Sequence, residues 1–226
     1  NLDGGLYLME SGFKLQNSRK TQQGFEITRE MSSRIKNLVL DILYYTKTRT
    51  MDWEEVSCRA FMEDTLDLVT MKAKKHGITV AHKFETLTLD DKFEIDRNSL
   101  QAAMINFLEN AIEACVEDRS PKGKQYTVGF FARADLENIV FKIQDNGLGM
   151  DKATLKNIFT IFFSSKGNKG TGLGLFISNK VIQQHRGQIA VDSTKERGSR
   201  FVITIPRWKP STASNIKEIK QTPSNV

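Results

Sequence analysis

Three stretches combine residue types and spacing that can do chemistry. In Asn106-Phe107-Leu108-Glu109-Asn110-Ala111-Ile112-Glu113-Ala114, two amides stand four residues apart and Glu113 follows three later. On a helix these fall along one face. Amide oxygens flanked by carboxylates suit a hard cation such as magnesium, although a solvated polar strip has the same pattern. The second stretch, Asp145-Asn146-Gly147-Leu148-Gly149-Met150, follows an apolar strand. Its glycines let backbone approach a ligand closely, and a buried carboxylate there can accept a hydrogen bond from the amine of a purine. The third, Gly170-Thr171-Gly172-Leu173-Gly174-Leu175, opens a helix. Alternate glycines expose successive N–H groups, and the helix start adds positive potential, which together make a phosphate cradle. No Gly-Lys-Ser/Thr follows and no strand leads directly in, which excludes a Walker loop and a dinucleotide fingerprint. Between the last two stretches, Ile158 to Lys169 reads as an apolar anchor followed by a basic, Gly-containing segment. That composition suits a lid, with Lys166 and Lys169 able to reach phosphates.

Positioning these groups requires a mixed scaffold. Leu100, Ala103, Met104, Phe107, Leu108, Ala111 and Ile112 give one wide apolar helix face over 100–115. Strands are expected at 78–84, 126–132, 139–143, 188–193 and 200–205 from apolar–polar alternation, and a helix at 173–184. Residues 133–138 suit a hairpin turn. This predicts an α+β sandwich, one mixed sheet covered by helices on one face. Ahead of it, residues 2–15 read as a short helix and 17–24, polar and containing Gly24, as a connection. From Phe25 an apolar seam (Ile35, Leu38, Val39, Ile42, Tyr45) predicts a helix of about six turns with one unpartnered face. Such a hairpin must pack on the rest of the chain or on a second copy, and a dimeric four-helix bundle is the economical answer. Residues 53–57 read as a break in which Ser57 caps the next helix, running to Gly77.

The 226 residues are 39% hydrophobic and 27% charged, the balance of a globular chain. No apolar run reaches membrane-spanning length, and no leader pattern opens the chain. Cys58 and Cys115 form no disulfide framework or metal motif, so a reducing, cytoplasmic setting is expected. Half of the +6 net charge sits in the last twenty residues, and no basic stripe interleaves with aromatics, so a nucleic-acid partner is not expected.

The order of these stretches resembles the sensor histidine kinases of two-component systems, within the superfamily that shares a Bergerat-type ATP fold with gyrase, the Hsp90 chaperones and MutL. Residues 106–114 resemble the N box, 145–149 the G1 box, 159–166 the F box and 170–175 the G2 box, while 25–48 resemble the second helix of the dimerisation and phosphotransfer hairpin. The resemblance implies a hairpin over 1–52, an ATP-binding catalytic domain over 53–207 and a polar basic tail over 208–226, expected to be disordered. It implies ATP and Mg²⁺ as ligands. Asp145 would read the adenine amine in a pocket shaped by Gly147, Gly149 and Met150. Asn110 would hold magnesium, with Asn106 and Glu113 beside it. Lys166, Thr171 and the amides from Gly170 to Leu175 would hold the phosphates. Asn106 and Lys166 would be the catalytic pair.

The implied activity is transfer of the γ-phosphoryl to a histidine and relay to a response regulator, in a homodimer joined to a membrane only through regions outside this chain. Three departures matter. None of His76, His82 and His185 fits the family's phosphoacceptor, which is expected upstream of residue 1. Hydrolytic relatives carry a general-base Glu where this chain has Asn106, which favours transfer over hydrolysis. Many relatives have a basic residue where this chain has Glu113, leaving Lys166 or Lys169 to compensate. The alternatives are a nucleotide-binding pseudo-kinase scaffold, or a serine-directed kinase or ATPase of the same superfamily.

Overall fold

Among the described residues the chain builds a five-stranded mixed sheet and a separate two-stranded one. The structure, a computed structural model, describes residues 2–46, 50–87, 90–118, 123–165 and 170–209. It divides into two compact units, Asn1–Thr50 with Lys152–Lys180, and Met51–Asp151 with Val181–Val226.

In the second unit, β1 (Trp53–Ser57) pairs antiparallel with β3 (Lys92–Asp96) as a separate two-stranded sheet. The segment expected to be a break is therefore a strand. Its pattern was hidden because Glu54 and Glu55 sit side by side and it finds its partner almost forty residues away. Ser57 does cap the next helix, α3 (Cys58–Lys75), its Oγ accepting from Ala60 N at 3.2 Å. β2 (Thr79–Thr86) runs parallel to β4 (Thr127–Ala134), and β4 pairs with β5 (Asn138–Asp145) in the expected hairpin. A parallel pair needs a crossover; here it contains β3 and α4 (Arg97–Glu117). β7 (Gly198–Pro206) lies between β5 and β6 (Gln188–Thr194).

The core lies between this sheet and its helices. Phe61 of α3, Phe93 of β3, Phe130 of β4 and Phe141 of β5 form a buried aromatic cluster with centroids 5.7–6.1 Å apart. Each such side chain contributes roughly 2–3 kcal/mol of burial. Cys58 and Cys115 are buried free thiols, pushed up to about 12 chiefly by desolvation. His185 is buried too. Its Nε2 accepts from Asp96 N at 3.1 Å, and its Nδ1 donates to Val181 O at 2.8 Å. Asp96 is in turn the N-cap of α4, its Oδ1 accepting from Ser99 N. Buried Arg207 binds the carbonyl oxygens of Lys92, Asp135 and Asp90 and the Asp90 carboxylate, tying the end of β7 to the small sheet. On the other side of the five-stranded sheet, Phe131 lies across Gly129, where a Cβ would collide with its ring, and Lys142 Nζ sits 4.4 Å from the same ring.

The first unit contains α1 (Leu2–Lys14) and α2 (Ser18–Thr46). The expected connection at 17–24 is wrong: only residues 15–17 leave the helices. Gly24 lies inside α2, where a Cβ would overlap Met9 N and approach Gly5 O. Gly5 and Gly12 are equally close to Thr28 and Thr21. The glycines permit backbone-to-backbone packing here rather than breaking a helix. Leu6, Phe13, Leu15, Phe25, Ile35 and Val39 remain exposed. The seam side chains Leu38, Ile42 and Tyr45 lie outside the described ones. The same unit holds α5 (Lys152–Asn157) and the first part of α6 (Gly174–Gln184). No helix among the described residues is long and apolar enough to cross a membrane. The expected tail lies outside the described residues from 210 onward.

Candidate functional site

In the second unit the candidate groups gather on α4 and on the loop after β5. Phe107, Leu108, Ala111, Ile112 and Cys115 turn α4 onto the core. That leaves Asn106, Glu109, Asn110 and Glu113 as a half-buried polar strip. Asn110 Nδ2 donates to Asn106 O at 2.8 Å, with Asn106 Oδ1 at 3.4 Å. The amide N–H is thereby spent on the helix, and Oδ1 is the acceptor on offer. Lys72 Nζ of α3 binds Glu109 Oε1 at 2.9 Å and Glu113 Oε1 at 3.5 Å. Among the described residues no three His, Cys, Asp or Glu side chains form a metal cage. The donors fit a cation of the magnesium type, which binds through one or two protein oxygens and completes its shell with phosphate and water.

Asp145 ends β5 and is 5% exposed. Burial pushes its carboxyl up to about 6, and hydrogen bonds from the Gly147 and Ser199 backbone pull part of the way back. The Gly147 N–H donates to Asp145 Oδ1 at 2.8 Å, so the carboxylate is oriented within its own loop. Around it the loop is held on three sides. Leu148 N donates to Ala114 O at 3.0 Å, and a Cβ on Gly147 would meet Ala114 C at 2.5 Å, which brings the loop against α4. The Asn146 amide bridges to Thr127 N and Gln125 O. Met150 N donates to Ser193 Oγ at 2.9 Å. Gly149, at φ +63°, has no room for a Cβ against the Thr194 carbonyl, and Gly198, at φ +97°, has none against the Asp145 carbonyl. Asp145, Gly147, Gly149 and Met150 are thus placed beside the helix that carries Asn106, Asn110 and Glu113.

In the first unit, Gly172 has φ +68° and its missing Cβ leaves space for the Phe162 backbone, which itself has φ +62°. Leu173 is buried, and its N–H reaches Thr171 Oγ1 at 3.3 Å. Of the cradle amides expected from Gly170 to Leu175, that of Leu173 therefore has an internal partner. Gly170, Thr171 and Leu175 are half-buried about the start of α6. Lys166 and Lys169 lie outside the described residues.

Sequence reasoning missed Lys72 and Ser193. Lys72 is one of several lysines near the end of α3 and carries no local signal. Ser193 becomes meaningful only once β6 is paired, because its hydroxyl bonds Met150 N, Gly198 O and Ser199 Oγ across the hairpin.

The family described as Histidine kinase-, DNA gyrase B-, and HSP90-like ATPase matches residues 95–209. Sporulation kinase E of Bacillus subtilis (strain 168) is 32% identical over 80% of this chain and 23% of its own length. The signal transduction histidine-protein kinase AtoS of Escherichia coli (strain K12) is 30% identical over 80% of this chain and 28% of its own. The chain thus spans about a quarter of the length of these curated relatives. Among solved structures, the catalytic domain of histidine kinase ThkA aligns with TM-score 0.58 and 27% identity, over 70% of this chain and 99% of that one. ThkA in complex with response regulator protein TrrA aligns with TM-score 0.67 over 91% of this chain and 58% of that one; its 24% identity speaks for fold alone. With its five-stranded mixed sheet, its α4 strip and its glycine-bound carboxylate, the chain belongs to the histidine kinase-, DNA gyrase B- and HSP90-like ATPase family and is homologous to sensor histidine kinases.

Proposed function

We propose that this chain binds Mg²⁺·ATP and directs its γ-phosphoryl to a histidine that is none of its own three, for relay to the aspartate of a response regulator. The observation that carries the reading is Asp145: a buried carboxylate, oriented by Gly147 N–H, at a loop pinned to the helix of Asn106 and Asn110. A buried charge is costly to keep and is a functional candidate on that ground. Here it serves to accept the adenine amine in a pocket walled by Gly147, Gly149 and Met150. Asn110 Oδ1 holds the magnesium, helped by Asn106 and Glu113. When bound, that ion neutralises phosphate charge. The glycine-rich segment from Gly170 to Leu175, with the Thr171 hydroxyl, and Lys166 hold the phosphates, and Asn106 and Lys166 are the catalytic pair. An amide at Asn106 accepts no proton from water, which favours transfer over hydrolysis.

The acceptor is a nucleophilic imidazole. His185 does not meet that need, because both its ring nitrogens are engaged in the core. We place the hairpin at 1–52, the catalytic domain at 53–207 and a tail beyond, with the exposed apolar residues of α1 and α2 joining two copies. Kinship to sensor kinases supports the response-regulator partner and a cytoplasmic location. The test is calorimetric titration with Mg²⁺·AMPPNP, followed by labelled ATP with an N-terminally longer version of the protein. Binding that Asp145→Ala abolishes, and acid-labile phosphate on the longer protein, are the expected results. Unchanged affinity in Asp145→Ala overturns the pocket, and acid-stable phosphate or rapid release of free phosphate overturns histidine transfer.

A further inference from the structure

The polar strip of α4 presents a charge problem. Glu109 and Glu113 stand one turn apart on the same strip as Asn106 and Asn110, so two carboxylates flank the place where a polyphosphate is to bind. Lys72 meets both, crossing from α3 to Glu109 Oε1 at 2.9 Å and Glu113 Oε1 at 3.5 Å. All three side chains are about two-fifths exposed, so the cluster is neither sealed in the core nor a freely solvated surface pair. We propose that Lys72 is a positioning residue for phosphate binding: it holds the Glu113 carboxylate and offsets the negative charge of the α4 strip, so that a triphosphate is accepted beside it. The proposal rests on the nucleotide-binding reading above, and goes beyond it by assigning the compensating charge to a helix outside the four boxes.

The two unequal distances fit this role. Glu109 takes the shorter bond and anchors the ammonium, which holds Glu113 by the longer second contact. A purely structural bridge between α3 and α4 needs only Glu109. Acting through charge, Lys72 affects ligands in proportion to the charge they carry. It touches the polyphosphate term and leaves the adenine term, set by Asp145, alone.

The experiment measures dissociation constants for Mg²⁺·AMPPNP and for adenosine on the same preparations of the 226-residue chain. Lys72→Met is expected to weaken Mg²⁺·AMPPNP roughly two- to fivefold, the range of one partly exposed ion pair, with adenosine unchanged. The loss shrinks as salt is raised. Lys72→Arg, which keeps the charge, retains affinity. Equal losses for adenosine and Mg²⁺·AMPPNP show a structural bridge and overturn the proposal, as does no loss for Mg²⁺·AMPPNP. Wild-type protein that binds neither ligand overturns the nucleotide reading instead, which keeps the two failures apart. Thermal unfolding of each variant without ligand checks that folded protein is being compared.

Discussion

Asp145 sets up two pH dependences of opposite sign in one side chain. Burial raises its pKa from 3.8 to about 6, so the folded protein holds this proton more tightly than the unfolded chain does. Stability from this group therefore rises as pH falls through 6 and is fully present only below the unfolded value. The full shift corresponds to roughly 3 kcal/mol, of which about half has appeared at pH 5 relative to pH 7.5. Other groups titrate in the same window, so the quantity to measure is a difference. Urea unfolding of wild type and Asp145→Asn at pH 7.5 and pH 5 should give a gap that moves by about half of the full value in favour of wild type at the lower pH. Ligand binding should move the other way. Accepting the adenine amine needs the ionised carboxylate, which at pH 5 is about one-tenth populated, so adenosine affinity should fall about tenfold between pH 7.5 and 5. Adenosine is the right probe because it has no phosphate to titrate. A flat stability gap would refute the buried-charge argument. A flat adenosine affinity alongside a tilting gap would refute the assignment of Asp145 to the base.

Asn110→Ala should remove the magnesium dependence of nucleotide affinity, read by calorimetry with and without Mg²⁺, while costing only about 1 kcal/mol of stability for its bond to Asn106 O. Gly149→Ala should destabilise the second unit by at least about 2 kcal/mol in denaturant melts, since the left-handed backbone and the Thr194 carbonyl both oppose a Cβ. Arg207→Ala should cost about 3 kcal/mol by the same measurement, because it strips three carbonyl oxygens of their donor at a buried position. Gly24→Leu should separate α1 from α2, seen as lost helical circular dichroism, because its side chain would occupy the line of Met9 N and Gly5 O.

Most of the sandwich could be read from the sequence because its strands alternate and α4 has a wide apolar face. The loop of Asp145 stands out in the sequence as a unit, since Asp145 and its glycines are contiguous in the chain. What escaped depends on distance. β1 and β3 are short, and each is defined by the other across nearly forty residues. Lys72 matters through α4, and Ser193 through Met150. Gly24 misled because a glycine in a polar run signals a turn locally, while its use here is set by the neighbouring helix.

The ring of Phe131, laid over Gly129 beneath the Lys142 ammonium, bears on how the side of the sheet away from the aromatic core avoids sticking to itself. A single-layer sheet offers an apolar stripe that other chains can template on. Capping that stripe with a positive charge makes two such sheets repel when face to face. Replacing the lysine by a neutral residue would therefore be felt first as concentration-dependent clustering of the protein, before any change in its melting temperature.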